Sequence, residues 1–209
     1  MKKGIKYGIL IVVAGLLVYN SIYFKKLDAK EPGGTVANLN PVETAQQFWH
    51  DQFPKYMDSA VEINQFLKML FANKQQVFDT YSRTLGIGND AFFLLKGEGV
   101  ISNITDDEVT VAIEPANEKR NIKLITGIYF GNAVRDVTGK IAMGDFSNTM
   151  DFNTVSTELN KLVHAQVVLP FKAKAAKGVK IQFVGCAAIN KEQTNSTELQ
   201  LLPVKIATQ

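Results

Sequence analysis

The amino-terminal segment limits most strongly what this chain can fold into. Residues 7–24 are apolar except for Asn20 and Ser21, and lysines stand on both sides of the run. At a rise of about 1.5 Å per residue, these eighteen residues would form a helix of roughly 27 Å, close to the hydrocarbon thickness of a bilayer. We therefore expect residues 1–26 to form a signal-anchor that crosses the membrane once, followed by a linker over residues 27–39.

A cleaved secretory signal is the alternative for this segment. Residues 8–18 have the length of a signal-peptide core, but no A-x-A cleavage site follows them. The aromatic and basic residues at 19–26 are instead typical of a helix end at a membrane interface. Three lysines precede the run and two follow it, which places the short amino terminus in the cytoplasm. The sequence thus predicts a single-pass inner-membrane protein whose C-terminal domain lies in the periplasm or outside the cell.

Composition narrows the function classes open to the exported part, residues 40–209, which is long enough for one domain with its own core. The net charge is only +3 and no basic stripe is interleaved with aromatics, which argues against nucleic-acid binding. Cys186 is the only cysteine, so an intrachain disulfide and a thiolate metal cluster are excluded. His50 and His164 lack partners at metal-ligand spacing. We expect no metal and no cofactor.

The first part of this domain, residues 40–88, has a helical pattern. Asn40 is a suitable N-cap, and Pro41 fits the first position of a helix. Apolar residues then recur at helical spacing as far as Phe53. A second helix is predicted to turn the following residues toward the core: Val61, Phe66, Leu67, Leu70 and Phe71.

From residue 91 the pattern changes to strands. Three strands come first, of which the first is broken by Gly97 and Gly99 and the third extends over residues 121–130. An irregular segment over residues 131–150 and a helix capped by Asp151 or Asn153 follow. Two further strands follow, over residues 179–189 and 198–207. Three strands, a helix and two strands is the order of an OB-fold barrel. We therefore predict an α+β protein with an N-terminal membrane helix, a small helical layer, and an OB-fold-like, mostly antiparallel β-barrel (residues 91–207) with one inserted helix.

A polar cluster in the glycine-punctuated segment 131–148 is the strongest candidate for a binding site. Arg135, Asp136, Asp145 and Asn148 could present a guanidinium fork, carboxylates and an amide to a sugar or carboxylate ligand, and Asn160 could reach back from the following helix. The structural alternative is that Arg135 pairs with one of the carboxylates to hold a long loop, while the other side chains cap turns or the next helix.

These residues also carry a resemblance to a known family. The runs GNAVRDVTGKIAMGDFSN, FNTVSTELN and KGVKIQFVG are similar to the bacterial predicted periplasmic lipoproteins called domain of unknown function 2291, and the resemblance extends over residues 48–205. The family signatures correspond to Gly131, Arg135, Asp136, Asp145, Phe146, Asn148, Glu158, Leu159, Asn160 and Gly185. Members are often encoded beside sugar ABC transporters, which implies an accessory role in sugar uptake. The chain lacks the lipobox cysteine, so a membrane helix would replace the lipid anchor.

Three functions remain open at this stage, and the absence of a catalytic motif favours a non-enzymatic one. The first is a membrane-tethered accessory module that binds a subunit of a sugar ABC transporter, its binding protein or a small polar ligand through the segment from Arg135 to Asn148. The second is a glycan hydrolase that uses Asp136 and Asp145 as its carboxylates. The third is an envelope scaffold without a small ligand.

Overall fold

The computed structural model describes residues 39–84, 88–113, 120–192 and 198–209. The expected membrane helix at residues 7–24 and the linker up to residue 38 lie outside these ranges. Within them, no helix combines the length and the apolar character needed to cross a bilayer.

Strands and helices follow one another in the order that the sequence predicts from residue 91 onward. The strands are β1 (Val61–Glu62), β2 (Asp90–Ile104), β3 (Glu108–Ile113), β4 (Arg120–Ile125), β5 (Lys180–Asn190) and β6 (Leu199–Thr208). The helices are α1 (Pro41–Gln47), α2 (Pro54–Met57), α3 (Ile63–Ala72), α4 (Lys74–Tyr81), α5 (Ala133–Asp136), α6 (Thr149–Val163) and α7 (Leu169–Lys172). Single π-helical turns cover Phe48–Gln52 and His164–Val168, and a 3-10 turn covers Met143–Asp145.

Strands β2 to β6 close into a barrel, which confirms the predicted OB-fold. β2 pairs with β3 and β5, β3 pairs with β4, and β5 pairs with β6, all antiparallel. The one parallel contact inside the barrel joins β4 to β6 and closes the circle. Helix α6 lies between β4 and β5 in the chain, at the position of the inserted helix of the predicted order.

The predicted break in β2 at Gly97 and Gly99 is wrong, because the strand continues through both residues. A Cβ atom at Gly97 would lie 2.6 Å from Ile63 Cγ2, and one at Gly99 would lie 2.5 Å from the carbonyl oxygen of Ala112. Both distances are far shorter than ordinary contacts. The glycines therefore allow α3 and β3 to approach a strand that bends round the barrel.

The described residues form two hydrophobic cores, of which one is the interior of the barrel. Every second residue of the first half of β2, including Phe93, points into it. Phe66 of α3 and Phe78 of α4 place their rings 5.0 and 5.2 Å from the ring of Phe93, in edge-on arrangements. Val61 packs against this core as expected, but it belongs to β1 rather than to the helix. The expected core role of Phe71 is wrong, because its side chain is 68% exposed on α3.

The second core lies on the outer face of the barrel, beneath the helical layer. Outward-facing residues of β2, β5 and β6 pack there against α1, the π-turn after it, and α6. Trp49 Nε1 donates a hydrogen bond to Gln166 Oε1 at 2.9 Å, which ties the two π-turns together. Cys186 is buried in this core, and burial raises the pKa of its thiol, as expected for a packed rather than a reactive cysteine. Asn40 caps α1 as predicted, accepting hydrogen bonds from two backbone amides.

The tight approach at Gly99 gives a stability prediction. Gly99→Ala should lower the free energy of unfolding by about 1–3 kcal/mol, because the added methyl group collides with the backbone of β3. Gly144→Ala is the matched control, since nothing lies within 4 Å of a Cβ atom there. Urea unfolding of the two variants tests this, and equal stabilities would contradict it.

Candidate functional site

The segment between β4 and α6 contains α5 and the 3-10 turn, although residues 131–150 were predicted to be irregular. We describe it as the pinned segment, residues 126–148. Arg135 and Asp136 lie in the single turn of α5, and both are buried, with exposed fractions of 2% and 1%. Arg135 and Asp136 therefore lie beneath the surface, whereas Asp145 is half-buried and Asn148 is exposed.

Arg135 makes a two-pronged ion pair with its neighbour. Its Nε donates to Asp136 Oδ1 at 2.6 Å, and its Nη2 donates to Asp136 Oδ2 at 3.0 Å. Its Nη1 donates to the carbonyl oxygen of Phe152 at 3.1 Å and to Asn153 Oδ1 at 3.3 Å. The guanidinium carbon also lies 3.6 Å from the centre of the Phe152 ring. The guanidinium thus joins α5 to the first turns of α6 and offers no open fork to a ligand.

Asn148 and Asp145 bind backbone groups close to them in the chain. Asn148 Oδ1 accepts from the amide of Asp151 at 2.9 Å, and its Nδ2 donates to the Asp151 carboxylate at 2.8 Å. Asn148 is therefore the N-cap of α6, and the prediction of Asp151 or Asn153 at that position is wrong because the helix begins at Thr149. Asp145 Oδ2 accepts from the amide of Ala142 at 3.1 Å and closes the 3-10 turn.

The remaining signature residues make packing contacts. Phe146 is buried, with its ring 5.9 Å from that of Phe152. A side chain at Gly131 would collide with the ring of Tyr129, and a Cβ atom at Gly185 would lie 2.9 Å from Leu201 Cβ, where β5 and β6 touch. Glycine is therefore required at 131 and 185, because neighbouring groups leave no room for a side chain.

Asn160 of α6 holds the start of the pinned segment. Its Nδ2 donates to the carbonyl oxygens of Tyr129 at 3.2 Å and of Gly131 at 2.9 Å. Its Oδ1 is buried and has no hydrogen-bond partner within the described ranges. Burial raises the pKa of Tyr129 to about 12, and a backbone hydrogen bond to Ala133 opposes this rise.

The arrangement limits the chemistry that these residues can perform. Glycan hydrolysis needs two carboxylates on either side of an open cleft. In this structure both oxygens of Asp136 accept from Arg135, and the side chain is buried, so this carboxylate is not presented to a substrate. Across the described residues, no group of three or more His, Cys, Asp or Glu side chains could hold a metal ion.

Sequence reasoning missed the residues that this region does expose. Ile128 is 76% exposed and Phe130 is 88% exposed, while Tyr129 between them is partly buried. The third strand was predicted to reach residue 130, but β4 ends at Ile125. Met143 and Met150 are also more than half exposed. The sequence signal for these exposed residues was the apolar run that continues from β4 to Phe130.

The buried ion pair gives a second prediction. Arg135→Met should lower the free energy of unfolding by about 3–5 kcal/mol, because it leaves the Asp136 carboxylate buried without a partner. Adding Asp136→Leu should recover much of this loss. Lys161→Met is the control, since it breaks an exposed ion pair with Glu158 and should change stability by under about 1 kcal/mol. Urea unfolding measures the stability of the three variants. An Arg135→Met variant as stable as Lys161→Met would show that the buried ion pair does not stabilise the fold.

The raised pKa of Tyr129 predicts a pH dependence. The unfolded chain loses this proton near pH 10 and the folded chain near pH 12, so folding favours the protonated phenol. This contribution is complete below pH 10 and is lost as the pH rises to 12, on the order of 2–3 kcal/mol. The free energy of unfolding of the wild type should therefore fall more steeply over this window than that of Tyr129→Phe. Parallel pH profiles for the two proteins would contradict the prediction.

Comparisons with known proteins agree with this fold. The crystal structure of an OB-fold protein from Thermotoga maritima MSB8 matches with a TM-score of 0.73 and 24% identity, over 82% of this chain and 99% of that chain. At that identity the likeness shows the fold alone. The comparison with curated proteins finds no match. The family model described as "Predicted periplasmic lipoprotein (DUF2291)" matches residues 12–207, which include the barrel, both cores and the pinned segment, so the chain belongs to this family of predicted periplasmic lipoproteins.

Proposed function

We propose that the protein is a non-catalytic accessory module of the periplasm that binds a partner protein while held at the inner membrane by residues 7–24. The family description supports the periplasmic location. The apolar run with flanking lysines supports the tether. The burial of Arg135 and Asp136 and their pairing with each other favour a binding role over a catalytic one.

The observation that carries this proposal is the exposure of large apolar side chains on the pinned segment. Phe130 and Ile128 leave three quarters or more of their surface in water, although they are only two residues apart. Aromatic side chains are enriched at the centres of protein interfaces, and removing apolar surface from water favours association. A partner that covers these two side chains would remove their apolar surface from water and gain an aromatic contact.

The internal contacts of the segment make it suitable for docking. Binding is weakened when a flexible loop must be ordered, and this cost falls when the loop is already fixed. Arg135 fixes the middle of the segment and Asn160 fixes its start, immediately beside Phe130. The exposed side chains are therefore presented from a backbone that is already ordered.

The partner that we propose is a subunit of a sugar ABC transporter or its binding protein. The support is the association implied by the family resemblance, since members are often encoded beside such systems. A domain tethered at the inner membrane and facing the periplasm could reach both components.

Photo-crosslinking in intact cells tests this function. A photoreactive benzoyl group on the side chain at position 130 of the full chain should yield a crosslink that mass spectrometry assigns to a transporter subunit or binding protein. The same group at position 71 is the matched control, because Phe71 is also exposed but belongs to α3.

Phe130→Ser should reduce capture of that partner by at least about tenfold, a change of roughly 1.4 kcal/mol in binding. It should change the free energy of unfolding by no more than about 0.5 kcal/mol, since the side chain is exposed. Equal crosslinking from positions 130 and 71, or no transport protein among the products, would contradict the proposal.

A further inference from the structure

Strand β6 leaves part of one edge without a strand neighbour. It pairs with β4 only through Leu199, Gln200 and Leu201. From Leu202 to Thr208 it pairs with β5 on the opposite edge. Among the described residues, no strand pairs with the outer edge of β6 beyond Leu201.

The backbone of this edge points hydrogen-bonding groups outward. The amide of Gln209 donates to the carbonyl oxygen of Lys180 at 2.9 Å, which fixes the alternation of bonds between β5 and β6. In an antiparallel pair, alternate residues direct their N–H and C=O groups away from the partner strand. Ile206 and Thr208 are those residues here. Their main-chain groups therefore face the free edge.

A groove of about 490 Å³ lies along this edge. One wall is the segment Val204–Thr208, and the other comes from the π-turn and α7, through Gln166, Val167, Pro170 and Phe171. Val204 and Phe171 are buried, which gives the groove an apolar floor. Its volume is in the range of about 300–1,000 Å³ that is usual for binding sites. A strand edge beside a helix, with an apolar floor between them, suits an extended peptide.

The charges on the rim specify the occupant further. Lys174 and Lys205 line the groove, both are exposed, and no acidic side chain is among the lining residues. The surrounding sequence agrees, because residues 159–191 contain six lysines and no aspartate or glutamate. The groove is therefore complementary to a negatively charged ligand.

We propose that this groove binds an extended acidic segment of a partner protein by strand addition to β6. The main chain of the segment pairs with Ile206 and Thr208, its alternate apolar side chains contact Phe171 and Val204, and its carboxylates pair with the two lysines. Main-chain bonds supply affinity in this mode of binding, and the side-chain pockets supply selectivity. The site is separate from the pinned segment and adds a second docking surface to the protein.

Fluorescence anisotropy with labelled peptides tests the proposal on the full chain in detergent micelles. The probe is the hexapeptide Glu-Val-Glu-Val-Glu-Val, and the charge control is Lys-Val-Lys-Val-Lys-Val. The acidic peptide should bind at least about tenfold more tightly than the basic one. Two N-methylated forms of the acidic peptide test strand addition, one methylated on the glutamates and the other on the valines. One form should lose at least about tenfold in affinity, and the other should keep it, because only one edge of the peptide pairs with β6.

Charge reversal provides the test from the protein side. Lys174→Glu combined with Lys205→Glu should weaken binding of the acidic peptide by at least about tenfold. Lys68→Glu is the control, because Lys68 is exposed on α3 outside the groove. Absence of binding by the acidic peptide, or equal affinities for the two methylated forms, would overturn the proposal. The comparison of peptides uses the wild-type protein and does not depend on whether the variants fold. Its outcome is also independent of the crosslinking expected from position 130.

Discussion

The contact between Arg135 and Asp136 is the constraint on which the arrangement of the pinned segment depends. A buried guanidinium is tolerated only when its donors are satisfied, because removing the charge from water is costly. Three nitrogens of Arg135 make hydrogen bonds, and its flat face covers the ring of Phe152. Two hydrogen bonds of Arg135 go to Asp136 in α5, and its other contacts are with Phe152 and Asn153 in the first turns of α6. Folding therefore brings α5 against the start of α6. The exposed side chains of the pinned segment are fixed in position because the segment is held between these helices.

The barrel provides the platform for this contact because β2 buries residues on both of its faces. Phe93 points into the barrel, and Phe92 points toward the helical layer. The interior core needs close approach at Gly97 and Gly99, and the outer core includes the apolar side chains of α6. The same helix carries Asn160 and the carbonyl group of Phe152, so the outer core positions the groups that hold the pinned segment.

The sequence predicted the order of strands and the OB-fold because alternation and helical spacing are local patterns, and the cap at Asn40 was equally local. The N-cap of α6 was not predictable in this way, because Asn148, Asp151 and Asn153 are all chemically suitable and only the register of the helix selects one. The sequence also showed that Arg135 and Asp136 are adjacent, but their burial depends on the position of α6. The groove beside β6 depends on where pairing with β4 stops, which no local pattern encodes.

Hydrogen exchange of the wild-type protein tests the central claim most directly, since it reports whether the pinned segment opens independently of the barrel. The amides of Asp136 and Val137 donate to the carbonyl oxygens of Asn132 and Ala133, both at 3.0 Å, within a helix of a single turn. If Arg135 holds this turn in place, these amides should exchange as slowly as those of β2 that pair with β5. Rapid exchange at both positions, while β2 stays protected, would show a mobile loop and contradict the account.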